Sequence, residues 1–146
     1  METRVKFIIE SIRNWFNING KCCKAVVGIS GGKDSTIVAA LCAEAIGREN
    51  VIGVSMPDEH QDSVLAREIC NYLGIQFIEF PIWPMVTCFY KIQLSEQAKL
   101  NIPPRVRMCV LYAVSQTYNG RVMNTSNKSE DWIGYSTRWG DSIGDL

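Results

Sequence analysis

Apolar residues recur with two different periods along the first half of the chain. Over residues 3–17 they fall at helical spacing, which predicts an amphipathic helix. The next apolar runs are short and rich in β-branched residues, as is typical of buried strands. Between these runs lie helical patterns that end at a glycine. The pattern therefore predicts strands over 24–30, 50–57 and 75–82, with helices over 34–47 and 61–74.

The second half of the chain is less regular, and only part of 85–99 has a helical pattern. The sequence predicts a strong helix over residues 103–120. A proline pair near its start and Asn-Gly at its end are typical of the two ends of a helix. Residues 121–125 predict a fourth strand, and the polar last twenty residues predict a loop. The β-α-β-α-β order predicts an α/β fold with a doubly wound, open parallel sheet, Rossmann-like, in one domain over residues 1–146.

Composition narrows the class of protein. Of the 146 residues 47% are hydrophobic and the formal net charge is zero, so we expect neither disorder nor a basic nucleic-acid surface. Charged residues interrupt the first helix and no apolar run would span a membrane, so a cytoplasmic protein is expected. The six cysteines include no C-x-x-C pair. Cys42, Cys70 and Cys109 occupy apolar helical positions, which predicts reduced core residues rather than disulfides or a zinc site.

The stretch VVGISGGKDSTIVAALCAEAIG, residues 26–47, places three glycines between a strand and a helix. Glycines allow a ligand to approach the backbone closely, and successive N–H groups can line a concavity at the positive end of the helix. Such a turn suits a phosphate group. Ser30 and Ser35 add hydroxyl donors, and Lys33 adds a cation.

Asp34 is unusual beside a phosphate, because two negative charges repel one another. It is accommodated if it caps the helix, or if a divalent cation lies between the two charges. Magnesium bound to the phosphates of ATP would satisfy the second condition. The sequence therefore predicts a site for ATP and Mg²⁺ at this turn.

The turn does not match the two best-known phosphate motifs. The Walker A loop needs one more residue between its glycines and Ser or Thr after the lysine, and the Rossmann motif needs separated glycines, whereas Gly31 and Gly32 are adjacent. The pattern S-G-G-x-D-S resembles the pyrophosphate-binding loop of the N-type ATP pyrophosphatases, whose fold is the adenine nucleotide alpha hydrolase type. These enzymes include GMP synthetases, argininosuccinate synthetases, NAD synthetases and tRNA-thiolating enzymes. Lys33 is often seen in the tRNA-modifying members.

Two later segments carry further chemistry. On a helix beginning near Pro103, the side chains of Arg105, Met108 and Tyr112 share one broad sector, whereas Arg107 points elsewhere. A cation beside an aromatic ring suits an anionic, ring-bearing ligand. After the fourth strand comes a polar loop with four carboxylates, at the end of the sheet where open α/β folds place ligands. These carboxylates belong to Glu130, Asp131, Asp141 and Asp145.

Together, the motif N-I-x-x-R-x-R-M-x-x-L-Y-A and the later N-x-S-E and G-Y-x-T-R-x-G-D-x-x-x-D resemble the NAD synthetase family, from about residue 5 to the last residue. The resemblance implies a carbon–nitrogen ligase. It implies amidation of nicotinic acid adenine dinucleotide by ammonia and ATP, through an acyl-adenylate, to give NAD, AMP and pyrophosphate. It also implies Mg²⁺ and a homodimer, with the N-terminal helix and residues 83–112 as candidates for the interface.

The functional residues of the family map onto this chain by position. The resemblance assigns ATP binding to Gly28, Ser30, Gly31, Gly32, Lys33, Asp34, Ser35, Arg105 and Asn127. It assigns contacts with the deamidated dinucleotide to Asn101, Arg105, Tyr112, Asp141 and Asp145. It assigns the magnesium ion to Asp34 and Glu130, and catalysis to Asp34 and Lys33.

Three features depart from the family pattern. Pro103-Pro104 replaces a common Gln-Ala pair, and Ser126 replaces a common glycine. The chain also stops inside the family motif, so we expect the domain to be incomplete at its C-terminus. Two alternatives stay open on the sequence: a tRNA-modifying ATP pyrophosphatase, and a nucleotide-binding fragment without catalytic activity.

Overall fold

Four short strands form a parallel sheet at the centre of the fold. The computed structural model describes residues 2–134 and 136–146, without the side chains of Lys128, Glu130 and Asp131. The strands are β1 (Lys24–Gly28), β2 (Val51–Ser55), β3 (Gln76–Glu79) and β4 (Gly120–Met123). They lie in the order β3-β2-β1-β4, and every neighbouring pair is parallel. The predicted α/β fold with an open parallel sheet is confirmed.

Helices cover both faces of this sheet. They are α1 (Glu2–Asn19), α2 (Lys33–Ile46), α3 (Val64–Leu73), α4 (Trp83–Phe89), α5 (Glu96–Thr117) and α6 (Lys128–Ile133), with a 3-10 turn over Arg48–Asn50. The elements predicted for the first half of the chain are all present, although each strand is shorter than predicted. None of the described helices is long and apolar enough to cross a membrane.

The sheet separates two buried cores, because successive residues of a strand point to opposite faces. On one face the apolar cluster joins β1 and β2 to α1, α2 and α3, and it includes Phe16, Ala25, Val27, Ala39, Cys42 and Cys70. On the other face the cluster joins the strands to α4 and α5, and it includes Val26, Ile52, Val54, Val86, Val106 and Val110. Burial of these side chains is the main favourable contribution to folding.

Two of the cysteines predicted to be reduced core residues are confirmed as such. Cys42 and Cys70 are fully buried free thiols, and burial raises the pKa of Cys42 to about 12 and that of Cys70 to about 11. Both thiols therefore stay protonated at neutral pH. Cys109 was placed wrongly by its helical spacing, because it is exposed on α5. It lies on α5 next to the buried Val110 but on a different face of the helix.

The predicted start of the long helix at Pro103 is wrong. Helix α5 begins at Glu96, and Pro103 and Pro104 lie in its interior. The Ser95 hydroxyl accepts a hydrogen bond from the backbone N–H of Ala98 at 3.3 Å, which caps the helix at that earlier point. Prolines in a helix interior remove N–H donors and are unfavourable. Packing of Ile102, Val106 and Val110 against the sheet offsets this cost.

The prediction of a loop over the last twenty residues is also wrong in part, because the short helix α6 lies there. The side-chain oxygen of Asn127 accepts a hydrogen bond from the backbone N–H of Ser129 at 3.0 Å. This is the contact that an N-cap residue makes with its helix. Asn127 therefore stabilises the first turn of α6. The polar composition of this segment did not indicate a helix with such a cap.

We expect replacement of Arg13 by glutamine to lower the free energy of unfolding by about 1 kcal/mol. From α1, the Arg13 guanidinium donates to the backbone oxygens of Ala45 at 2.9 Å and Glu44 at 3.2 Å, near the C-terminus of α2. Thermal unfolding should show a midpoint lower by roughly 2–4 °C. Arg4→Gln removes an exposed charge from the same helix and should leave the midpoint unchanged. Equal midpoints for the two variants would contradict this role.

Candidate functional site

A cavity of about 620 Å³ opens at the carboxyl ends of β1, β2 and β4. Strand β1 lies between β2 and β4, so the order of the sheet reverses beside it, and open α/β sheets bind ligands at this reversal. One part of the wall is apolar and includes Met56, Leu65, Met108, Leu111 and Met123. Another part is polar and includes Ser30, Asp34, Ser35, Gln61, Arg107 and Asp141. The cavity therefore suits a ligand with an apolar ring and charged groups.

The glycine turn that follows β1 forms one wall of the cavity. Gly31 has φ of 85°, in the left-handed region that only glycine adopts without strain. Two serines hold the turn: the Ser30 hydroxyl accepts from the Gly32 N–H at 3.2 Å, and the Ser35 hydroxyl donates to the Gly32 oxygen at 3.1 Å. The two hydroxyl oxygens are 3.4 Å apart. The turn is thus held by side chains within the motif itself.

Helix α2 begins immediately after this turn, at Lys33. The N–H groups in the first turn of a helix have no partner within the helix, and this end carries a partial positive charge. Gly32, Asp34 and Ser35 all line the cavity, so this positive end adjoins the cavity. A phosphate group is the ligand that such an arrangement binds best. The side chain of Lys33 is exposed and does not line the cavity.

Asp34 lines the cavity from the first turn of α2. Its Oδ2 accepts a hydrogen bond from the Asn127 amide at 3.4 Å, so the fold brings together two residues predicted to act on the nucleotide. The described residues contain no group of three or more possible metal ligands. Magnesium is commonly held by only one or two carboxylates, with phosphate oxygens and water completing its shell, so Asp34 suits that ion. The side chain of Glu130, the other predicted ligand, lies outside what the structure describes.

Six of the predicted site residues line the cavity: Gly28, Ser30, Gly32, Asp34, Ser35 and Asp141. Asn127 lies beside Asp34, and Gly31 shapes the turn without lining the cavity itself. The other predicted residues with described side chains lie outside the lining: Lys33, Asn101, Arg105, Tyr112 and Asp145. Most predicted residues of the glycine turn therefore lie together on the cavity, whereas the predicted dinucleotide contacts are more scattered.

Asn101 and Arg105 hold a wall of the cavity in place. The Asn101 Oδ1 accepts from the buried hydroxyl of Thr137 at 2.9 Å, and the Arg105 Nε donates to the backbone oxygen of Arg138 at 3.3 Å. The backbone N–H of Thr137 in turn donates to the Asp141 carboxylate at 2.6 Å. These contacts dock residues 137–141 on α5, which fixes the position of Asp141 on the cavity wall.

Tyr112 and Asp145 lie together along the outer edge of β4. The tyrosine hydroxyl donates to Asp145 Oδ1 at 3.4 Å, and the Val122 N–H donates to Asp145 Oδ2 at 2.8 Å. The Asp145 N–H also donates to the Val122 oxygen at 2.7 Å. Burial, and then the neighbouring Asp145 carboxylate, raise the pKa of Tyr112. The tyrosine therefore stays protonated and donates its hydrogen bond.

The arginine on the cavity wall is Arg107, although helical spacing predicts that it lies in a different sector of α5 from Arg105 and Tyr112. Its Nε donates to the Met56 backbone oxygen at 3.2 Å, and its Nη2 donates to Gln61 Oε1 at 3.1 Å. Burial lowers the pKa of Arg107, and the carboxylates of Asp58 and Asp141 partly oppose that shift. The sequence does contain a pattern that indicates the position of Arg107. Four residues at helical spacing form one stripe of α5, and all four line the cavity: Pro104, Arg107, Met108 and Leu111.

The parallel sheet, the glycine turn that opens a helix and the cavity at the sheet reversal define an α/β protein with the adenine nucleotide alpha hydrolase type of fold. The chain belongs to the NAD synthase family, because the family model described as NAD synthase matches residues 4–146. This result favours NAD synthetases over the tRNA-modifying enzymes that share the glycine motif.

Individual relatives agree with this assignment. The chain is 41% identical to the NH(3)-dependent NAD(+) synthetase of Thermococcus sibiricus over 145 residues, which are 97% of this chain and 55% of the relative. The solved NH3-dependent NAD synthetase of Campylobacter jejuni is 30% identical, with a TM-score of 0.89, and the match covers 99% of this chain and 64% of that one. The glutamine-dependent NAD+ synthetase of Acinetobacter baumannii, solved with ADP, is 26% identical with a TM-score of 0.87, covering 96% of this chain and 28% of that one. The chain spans about half the length of the curated ammonia-dependent relatives that it matches.

Proposed function

We propose that this chain carries the ATP site of an ammonia-dependent NAD synthetase. The observation that carries the proposal is the placement of the glycine turn, the N-terminus of α2 and Asp34 on one cavity at the sheet reversal. Family membership supplies the reaction: nicotinic acid adenine dinucleotide, ATP and ammonia give NAD, AMP and pyrophosphate. The cytoplasmic location expected from the sequence is part of the proposal.

The reaction has two steps, and neither needs a nucleophile from the protein. An oxygen of the nicotinate carboxylate attacks the α-phosphorus of ATP, and the bond from that phosphorus to the bridging oxygen of pyrophosphate breaks. Ammonia then attacks the acyl carbon of the adenylate, loses a proton, and AMP leaves with the bonding electron pair. Negative charge grows on pyrophosphate in the first step, so groups that stabilise this charge accelerate it.

The residues of the turn are suited to that task. Asp34 and Ser35 line the cavity at the positive end of α2, where their N–H groups would bind phosphate oxygens. Lys33 is exposed on the same turn, and we propose that its ammonium group binds the departing pyrophosphate. The apolar part of the cavity, around Met56 and Leu111, suits the adenine ring.

Magnesium is proposed as the cofactor, with Asp34 as its ligand on the described wall and Glu130 as a second ligand. When bound, magnesium would neutralise charge on the phosphates and polarise them. Asp34 is positioned for this role by the first turn of α2 and by its hydrogen bond from Asn127.

Contacts with the dinucleotide are proposed for Asn101, Arg105, Tyr112, Asp141 and Asp145, as the family resemblance implies. Of these, Asp141 lines the cavity, and the others surround the segments that form its wall. A homodimer is also part of the proposal. It is supported by exposed apolar side chains on α1 and in 83–112, among them Phe7, Ile18, Phe89, Ile92 and Leu100.

The purified chain, supplied with ATP, nicotinic acid adenine dinucleotide, an ammonium salt and magnesium, is expected to form NAD and pyrophosphate in equal amounts. An enzymatic cycling assay measures NAD, and a coupled phosphatase assay measures pyrophosphate. Asp34→Ala is the control, because it keeps the turn but removes the proposed metal ligand. NAD no higher with the natural chain than with Asp34→Ala would contradict the proposed activity. Bound ATP without pyrophosphate would instead favour the alternative of a nucleotide-binding fragment.

A further inference from the structure

Arg107 reaches the cavity from α5, whereas the glycine turn forms a different wall. Among the described residues that line the cavity, Arg107 has the only positively charged side chain. The family resemblance assigns no role to this residue. Its position raises the question of which negative charge it faces in the occupied site.

The hydrogen bonds of Arg107 leave most of its guanidinium unused. The side chain donates once to the Met56 oxygen and once to Gln61 Oε1, and both acceptors are neutral. A guanidinium has five N–H donors, so three remain. No ion pair joins Arg107 to a carboxylate within the described part of the chain. Asp58 and Asp141 are the acidic groups that influence it, from the β2–α3 loop and from the segment docked on α5.

A half-buried cation without a paired anion is unfavourable unless a ligand supplies the charge. Guanidinium groups bind phosphate well, because their planar donors match two phosphate oxygens at once. A nucleotide that engages the glycine turn brings a chain of phosphates into the same cavity. The charge, the free donors and the position of Arg107 therefore fit one class of ligand group.

We infer that Arg107 binds a phosphate group of the nucleotide in the cavity. The inference rests on the proposed function, because it takes the ligand to be ATP. Arg107 would then join three parts of the site: α5, the phosphates, and the β2–α3 loop through Met56 and Gln61. The same loop is organised by Gln61, whose Oε1 also accepts from the Asp58 N–H at 3.2 Å.

If Arg107 only held the β2–α3 loop in place, it would make the same two hydrogen bonds. The test must therefore separate this structural role from phosphate binding. Affinities for ATP, AMP and adenosine are measured by calorimetry in magnesium, for the natural chain and for Arg107→Gln, Arg107→Lys and Gln61→Met. Arg107→Gln should weaken ATP binding by about 10- to 100-fold, as expected for one charged hydrogen-bonding group, while adenosine binding changes little. Arg107→Lys should recover part of the loss, because it keeps the charge.

Gln61→Met loosens the loop but keeps the guanidinium, so it should affect ATP and adenosine by the same factor. Arg48→Gln removes a charge from the 3-10 turn at the other end of the sheet and should match the natural chain. Equal weakening of ATP and adenosine by Arg107→Gln, or no weakening, would overturn the inference and leave the ATP site standing. A natural chain that binds neither ATP nor adenosine would overturn the inference and the proposed function together.

Discussion

Replacing Gly31 by valine should abolish measurable ATP binding, with an affinity at least about 100-fold lower, while the chain still folds. Gly31 has φ of 85°, which a β-branched residue adopts only at considerable cost. A Cβ atom at this position would also approach the Leu65 side chain at 3.2 Å. The turn would relax to another conformation, and the N–H groups around it would no longer converge. Calorimetric titration with ATP in magnesium measures the loss.

Gly74→Val is the matched control, because Gly74 also has a positive φ, 67°, but ends α3 far from the glycine turn in sequence and outside the cavity lining. It should lower stability by about 1–2 kcal/mol through the same backbone strain and still bind ATP. Circular dichroism should show that both variants are folded. Retention of ATP binding by folded Gly31→Val would mean that the turn conformation is not needed for the ligand.

Asp34→Asn is expected to weaken ATP binding in the presence of magnesium but not in its absence. In magnesium, ATP should bind at least about tenfold more weakly to this variant than to the natural chain, because a neutral amide is a poorer ligand for a hard cation. In EDTA, the variant should bind ATP as tightly as the natural chain or more tightly, because repulsion between the carboxylate and the phosphates is removed. Four calorimetric titrations, with two proteins in each of the two buffers, measure how the effect of the substitution depends on magnesium.

The control for Asp34→Asn is Glu68→Gln, which removes an exposed carboxylate from α3 away from the cavity lining. It should leave both affinities unchanged. A uniform change of ATP affinity in the two buffers would show that Asp34 acts through the general charge of the site or through its hydrogen bond from Asn127. Either result would remove the reason for placing magnesium at Asp34.

The glycine turn was predictable because its information is local. Strand, turn and helix follow one another within residues 24–46, and the serines that hold the turn belong to the same motif. The parallel sheet with helices on both faces follows equally from the alternation of short apolar runs with helical patterns. These features need no knowledge of contacts between distant parts of the chain.

The two arginines of α5 show where local information ends. Arg105 and Arg107 stand one residue to either side of the buried Val106, so each lies about 100° from the stripe that packs on the sheet. The periodicity of the sequence does not indicate which of these two flanks of the helix faces the cavity. Only the packing of α5 across the sheet decides that the flank with Arg107 faces the cavity, while Arg105 contacts Arg138.

The hydrogen bonds that hold residues 137–145 against α5 could not be predicted from the sequence either. Thr137 pairs with Asn101 across 36 positions, and Asp145 pairs with Tyr112 across 33. The resemblance assigns substrate contacts to Asn101, Tyr112 and Asp145. In the fold, however, Tyr112 and Asp145 are hydrogen-bonded to each other, and Asn101 is hydrogen-bonded to Thr137. The start of α5 was missed for a different reason: prolines were expected at the beginning of a helix, whereas the cap at Ser95 begins it earlier.

The most direct measurement is a calorimetric titration of the natural chain with ATP, once with excess magnesium and once with EDTA. A polyphosphate held by the turn through a metal on Asp34 should bind with one-to-one stoichiometry and several-fold more tightly in the first buffer. Identical affinity in both buffers, or no heat of binding in either, would contradict the metal-bridged nucleotide site on which this interpretation of the chain depends.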